Sequence, residues 1–100
     1  MTAFEGNISG IPVRVIVGKT KYNGREIETY VPQIRVGDDD WWVDVLNPGV
    51  IYKNTQVGKD GNSISVDQLD HAIQFLNIKV NTILSVRQQM KELKELKSLV

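Results

Sequence analysis

The four residues Tyr-Asn-Gly-Arg at 22–25 constrain the fold more than any other stretch of the chain. A two-residue type I′ turn needs positive φ at both central positions, which Asn and Gly tolerate. A hairpin closed by this turn places Val13 opposite Ile34 on an apolar face and Lys19 opposite Glu28 nearer the tip. A slip of one residue would scramble both the apolar face and the charge pairs, so we predict this register.

The same counting places the next strand. If the Gly-Asp-Asp-Asp segment at 37–40 is a four-residue loop, Trp42 lies opposite Arg35, on the sheet face away from the apolar one. Pro32 has no N–H to offer this strand, so the ladder is expected to be short or bulged near Pro32. The residues that this strand would turn into the core are Trp41, Val43 and Val45.

Two further strands complete the predicted sheet. The Asn-Pro-Gly turn signal at 47–49 lets residues 50–57 return as a strand, and a tip at Pro-Gly places Asp44 opposite Lys53. Residues 3–8 are a candidate edge strand. Strands followed by a helix favour the α+β class. We predict an antiparallel meander of four to five strands within 1–58, then one long C-terminal helix packed on one sheet face, in a single domain.

Helical periodicity replaces strand alternation from Ser65 onward. Ser65 is a predicted N-cap, and Gln68 stands three residues later, the spacing of a capping box. No Gly or Pro follows, so we predict a helix over 65–98 that is continuous unless it kinks near Asn77 or Asn81. At 1.5 Å per residue such a helix spans ~50 Å and overhangs its own sheet.

This helix carries two apolar stripes. The stripe expected to cover the sheet contains Leu69, Ala72, Ile73, Leu76, Val80, Ile83 and Leu84. The second stripe contains Phe75, Ile78, Val86, Leu93, Leu96 and Val100. One sheet covers only one stripe, so the second stripe is a predicted homo-oligomer interface, most economically against another copy of the same helix. The alternative is that the residues after about Met90 form a solvated tail.

Composition limits the function classes. Twelve basic residues balance twelve acidic ones, so the chain as a whole has no charge-driven attraction to nucleic acid or anionic membrane. No apolar run is long enough to span a membrane, and the first ten residues lack the pattern of a signal peptide. The chain has no cysteine, which suits a reducing compartment, and we expect a cytoplasmic location.

Catalytic and metal-binding chemistry find little support in the sequence. The single histidine, His71, lies early on the helix and is expected to be solvated. Three adjacent acids at 38–40 cannot all converge on one ion in a tight loop. Residues 59–69 superficially resemble the exit of a calcium loop but lack its first Asp and closing Glu. We therefore expect no enzymatic activity, no metal and no cofactor.

The sheet face opposite the predicted helix is expected to mix arginines, amides and an exposed tryptophan, Trp42. Such a face suits single-stranded DNA or RNA, because bases stack on aromatic rings and basic side chains meet phosphates. The alternative is an ordinary solvated sheet face with a half-buried tryptophan. The predicted nucleic-acid contacts are Arg14, Tyr22, Arg25, Arg35, Trp42, Lys53 and Lys59, with stacking on Trp42 and Tyr22.

Two segments resemble a known family. The strand at 42–46, Trp-Val-Asp-Val-Leu, and the segment 57–69, which holds a Lys and glycines before the helix, are similar to motifs of the Positive Cofactor Four type of single-stranded-DNA-binding fold, shared more loosely with Whirly proteins. The resemblance covers roughly 30–85. It implies a dimer formed through the helix and an opposite face that binds single strands, with Lys59 as the basic residue before the helix. This chain departs in its neutral charge, longer helix and extra N-terminal strand region.

The sequence therefore predicts a non-enzymatic, homo-oligomeric protein that binds single-stranded nucleic acid. The alternative prediction is a protein–protein interaction module, such as a small viral or regulatory adaptor, that uses the Trp42 face or the helix tail.

Overall fold

The computed structural model of the chain describes residues 2–35, 37, 41–47, 51–53 and 65–98. Within them the elements are β1 (Thr2–Ile8), β2 (Ile11–Tyr22), β3 (Arg25–Arg35), β4 (Trp41–Asp44), β5 (Ile51–Lys53) and α1 (Leu69–Ser98). The strands form one antiparallel sheet in chain order, and α1 packs across β1, β2 and β3. The predicted α+β meander followed by one long helix is confirmed.

The β2–β3 hairpin has the predicted turn and register. Asn23 and Gly24 have φ of 53° and 77°, as a type I′ turn requires. The ladder runs from Val13 opposite Ile34 to the pair that flanks the turn. The local sequence suffices here because the turn type fixes which residues face each other.

A second tight turn joins β1 to β2 and was not predicted. Ser9 and Gly10 have φ of 51° and 82°, so this connection also has positive φ at both central positions. It pairs Ile8 with Ile11 and makes β1 an edge strand of seven residues. The edge strand expected at 3–8 is therefore present.

Pro32 ends the ladder between β3 and β4. The pairs run from Arg35 with Trp42 to Gln33 with Asp44, in the predicted register, and Val45 N then donates to Pro32 O at 2.9 Å. The first of the two alternatives at Pro32, a short ladder, is the one observed. Pro32 accepts a hydrogen bond where it cannot donate one.

The predicted pairing of Asp44 with Lys53 is wrong. In the structure Lys53 pairs with Trp41, and Val43 pairs with Ile51. The reason lies at Asp44, whose Oδ1 accepts hydrogen bonds from the backbone nitrogens of Leu46 at 2.9 Å and Asn47 at 3.2 Å. This carboxylate closes a turn directly after β4, so the chain turns before the predicted Pro-Gly tip.

The helix begins later than the predicted start near Ser65. Tyr30 N donates to Val66 O at 2.7 Å, and Val66 N donates to Tyr30 O at 3.0 Å, so Val66 pairs with β3. Ala72 N then donates to Gln68 O at 3.2 Å, and α1 starts at Leu69. Val66 pairs with β3 like a strand residue, so it does not lie in the first turn of a helix capped by Ser65. Once begun, α1 is continuous to Ser98 without a break at either asparagine.

The core lies between α1 and the first three strands. The predicted sheet-facing stripe is confirmed, with Ala72, Leu76 and Val80 fully buried and the remaining members packed against them. The sheet contributes Ile11, Val13, Val15 and Ile34.

The prediction that Trp41 lies in the core is wrong, because its side chain is 41% exposed. Trp41 belongs to β4, and the helix crosses β1, β2 and β3 instead. Among the described elements, α1 therefore does not cover the face that carries Trp41 at that strand.

Candidate functional site

The predicted nucleic-acid face is buried at its centre. Arg14 is 6% exposed and Trp42 2%, while Gln33 and Asp44 have no exposed surface. The register that places Trp42 beside Arg35 is confirmed, but the prediction of an exposed Trp42 is wrong. A buried indole has no free face on which a base can stack.

Arg14 and Trp42 cover each other. The guanidinium carbon of Arg14 lies 4.3 Å from the centroid of the Trp42 ring, a cation–π geometry. Arg14 Nε also donates to Gln33 Oε1 at 2.6 Å. Burial lowers the pKa of Arg14, and the carboxylate of Glu5, its neighbour across the β1–β2 ladder, acts in the opposite direction. Arg14 is thus engaged inside the protein rather than presented to a phosphate.

Asp44 also has a structural role. Its buried carboxylate shapes the turn after β4 through the two backbone hydrogen bonds to Leu46 and Asn47. The Trp-Val-Asp-Val-Leu segment that carries the family resemblance therefore has a local explanation, since an Asp is well suited to accept such bonds.

Of the other predicted contacts, Arg35 lies beside Trp42 in the β3–β4 ladder, but Arg25 lies far from it. Arg25 is exposed at the hairpin tip, eight residues along β3 from Gln33, which corresponds to ~26 Å. The side chains of Tyr22 and Lys53 and the whole of Lys59 lie outside the described residues. The described structure therefore does not assemble a continuous basic groove from the predicted set.

Sequence reasoning missed a polar pocket at the end of the sheet. Arg35 of β3 and Arg87 of α1 line it, and Arg35 Nε is buried with no hydrogen-bond partner among the described residues. The periodicity of the sequence does not reveal that Arg35 and Arg87 line one pocket, because this depends on where the helix leaves the sheet. The other lining residues are Gly10, Ile11, Pro12 and Gly37.

The second helix stripe is exposed. Its described members, which we call the exposed stripe, lie on the side of α1 away from the sheet, and their exposed fractions lie between 38% and 62%. The placement predicted from sequence is confirmed for these residues, while Val100 lies outside the described part of the chain. The exposed stripe consists of Phe75, Ile78, Val86, Leu93 and Leu96.

A shallow groove interrupts the exposed stripe near its middle. The small side chains of Thr82 and Ser85 line it together with Ile78 and Val86. Thr82 Oγ1 donates to Ile78 O at 3.0 Å, so the hydroxyl is satisfied within the helix. An apolar side chain can therefore fill the groove without leaving the Thr82 hydroxyl buried and without a hydrogen-bond acceptor.

The described residues contain no cluster of metal ligands and no helix that could cross a membrane. His71 is exposed, and within these residues no three His, Asp or Glu side chains come together as ligands for an ion. The helix described here is not apolar enough to cross a membrane. The predicted metal candidates at 38–40 lie outside the described residues.

Comparison with known protein families, curated proteins and solved structures found no match for this chain. The resemblance to the Positive Cofactor Four type of fold therefore stays a prediction.

Proposed function

We propose that the chain is a non-enzymatic protein–protein interaction module that assembles with a second copy of itself through the exposed stripe. The observation that carries this proposal is the length of that stripe. It runs from Phe75 to Leu96, along both the part of α1 that packs on the sheet and the part beyond it. Scattered apolar residues are normal on a monomer, but apolar residues aligned along one side of a helix are typical of a surface that contacts another protein.

The charge pattern favours a homotypic partner over an acidic or basic one. The last turns of α1 carry both signs close together, with Lys91, Lys94 and Lys97 alongside Glu92 and Glu95. A second copy therefore presents a matching charge for each sign, whereas a strongly charged partner would meet repulsion.

Nucleic-acid binding receives less support from the geometry. Its proposed stacking residue, Trp42, is buried, and Arg14 is held against it. If single strands do bind, the contact has to use other residues. A titration of labelled oligo-dT at two salt concentrations tests this directly, because phosphate contacts make log K fall linearly with log salt.

Sedimentation velocity over a hundredfold range of concentration tests the self-association. We expect the wild-type chain to shift from monomer toward dimer, and Leu93→Glu to remain monomeric because it places a charge on the exposed stripe. Lys91→Gln is the matched control. It changes the net charge by the same one unit at a position ~160° around the helix, so it should associate like wild type. A wild-type chain that stays monomeric throughout contradicts the proposal.

A further inference from the structure

We propose that the two copies pair as parallel, in-register helices over Thr82–Leu96, with Glu92 of one protomer against Lys97 of the other. This inference rests on the proposed self-association and adds the orientation and register. The exposed stripe is apolar and does not distinguish a parallel from an antiparallel pair. The orientation is inferred from the two flanks of the stripe, because they differ in charge.

The heptad positions follow from the apolar spacing. Val86 and Leu93 are seven residues apart and take position a, while Thr82, Gln89 and Leu96 repeat at position d. All five lie on the exposed side of α1. The groove beside Val86 is then a hole for a knob of the partner helix.

This assignment places opposite charges on the two flanks. Glu92 falls at position g and Lys97 at position e, five residues further on, and both are exposed. In a parallel pair, g of one helix faces e of the next heptad in its partner. Two symmetric Glu92–Lys97 ion pairs form. In an antiparallel pair like flanks meet, and neither residue gains a partner of opposite sign across the interface.

The sheet leaves room for this arrangement. The buried Leu76 and Val80 mark the side of α1 that faces the sheet, and at ~100° per residue that side lies ~140° from the centre of the exposed stripe. Two sheets in a parallel dimer therefore point outward, away from the helix pair. The N-terminal part of each helix is already anchored on its own sheet, which lowers the entropic cost of pairing the seam that follows it.

Disulfide trapping of the full-length chain reads the orientation, because the chain contains no cysteine of its own. We would make Thr82→Cys and Leu96→Cys as separate variants. These positions are fourteen residues apart, about 21 Å along a helix. A parallel, in-register pair gives a cross-linked dimer with each variant alone. An antiparallel pair instead cross-links mainly when the two variants are mixed, and that result overturns the inference.

Charge reversal provides a second readout that needs no cysteine. Glu92→Lys alone and Lys97→Glu alone each place like charges at both bridges, and each should raise the dissociation constant about tenfold. The double variant Glu92→Lys/Lys97→Glu restores opposite signs and should recover wild-type affinity. An unrecovered double variant, or single variants that dimerise like wild type, contradicts the pairing.

The outcomes also separate the two proposals. A wild-type chain that sediments as a monomer overturns the self-association and the pairing together. A wild-type dimer that fails both the trapping and the charge-reversal tests keeps the self-association and overturns only the parallel register.

Discussion

Trp41 and Trp42 show how neighbouring residues of one strand acquire different environments. Successive side chains of a strand point to opposite faces, so only one of the two can face the apolar side. Trp42 is buried against Arg14 on one face, while Trp41 lies on the other, at a strand that α1 does not cross. The sequence predicts that Trp41 and Trp42 lie on opposite faces. It does not predict which face is covered at this strand, because that depends on where the helix crosses the sheet.

Fluorescence quenching by acrylamide tests whether Trp41 is exposed and Trp42 is buried. Trp42→Phe leaves only Trp41, which is 41% exposed, so its emission should be strongly quenched and shifted to the red. Trp41→Phe leaves only the buried Trp42, whose quenching constant should be several-fold smaller. The two variants serve as controls for each other. Equal quenching in both would show that the burial of the two indoles is not different.

Asp44 is predicted to stabilise the fold through its turn. Asp44→Ala removes the acceptor for the Leu46 and Asn47 backbone nitrogens, and the free energy of unfolding should fall by about 1–3 kcal/mol in urea titrations. Asp44→Asn keeps one side-chain oxygen as acceptor and should lose less. An alanine variant as stable as wild type would contradict this stabilising role of the carboxylate.

At the scale of elements, α1 carries apolar residues on two sides, one buried against the sheet and one exposed. Leu76, with no exposed surface, belongs to the core, whereas Leu93 is 53% exposed on the exposed stripe. Both are leucines in the same helix, so substitution by alanine gives a matched comparison of the two sides.

Leu76→Ala should lower the free energy of unfolding by about 2–5 kcal/mol, because it leaves a cavity under the helix. Leu93→Ala should change it by no more than about 0.5 kcal/mol in dilute solution, where the chain is monomeric. Urea denaturation followed by far-UV circular dichroism measures both. A large loss for Leu93→Ala under these conditions would place that residue in a contact within the same chain.

Elements fixed by local chemistry were predictable, and elements fixed by distant contacts were not. The Asn23-Gly24 turn specified its hairpin register, and the 3.6-residue period separated the two stripes of α1. The predicted start of the helix was wrong because Val66 pairs with Tyr30, thirty-six positions earlier in the chain. The β5 register failed because Asp44 closes the turn before the Pro-Gly signal. Neither the two-residue period of the strands nor the 3.6-residue period of the helix predicts the pocket lined by Arg35 and Arg87, since it depends on the crossing of α1 and β3.

At the scale of the whole molecule, the chain is elongated. It measures 63 × 23 × 22 Å with a radius of gyration of 16.1 Å, against about 13 Å for a compact domain of this length. The 30 residues of α1 span about 45 Å, more than the sheet covers. The core of a small domain buries a modest share of its surface, so contact with a second copy is a natural further source of stability.

If the chain self-associates through the exposed stripe, as proposed, its thermal stability should depend on protein concentration. A dimer formed only by folded chains shifts the folding equilibrium by mass action. For the full-length chain we expect Tm to rise by about 5 °C over a hundredfold increase in concentration above the dissociation constant. Leu93→Glu should show a Tm that does not change with concentration and that matches the wild-type value at high dilution, because its core is untouched. A wild-type Tm that stays constant over the same range would mean that folding gains nothing from a second chain, and the exposed stripe would then require a different partner.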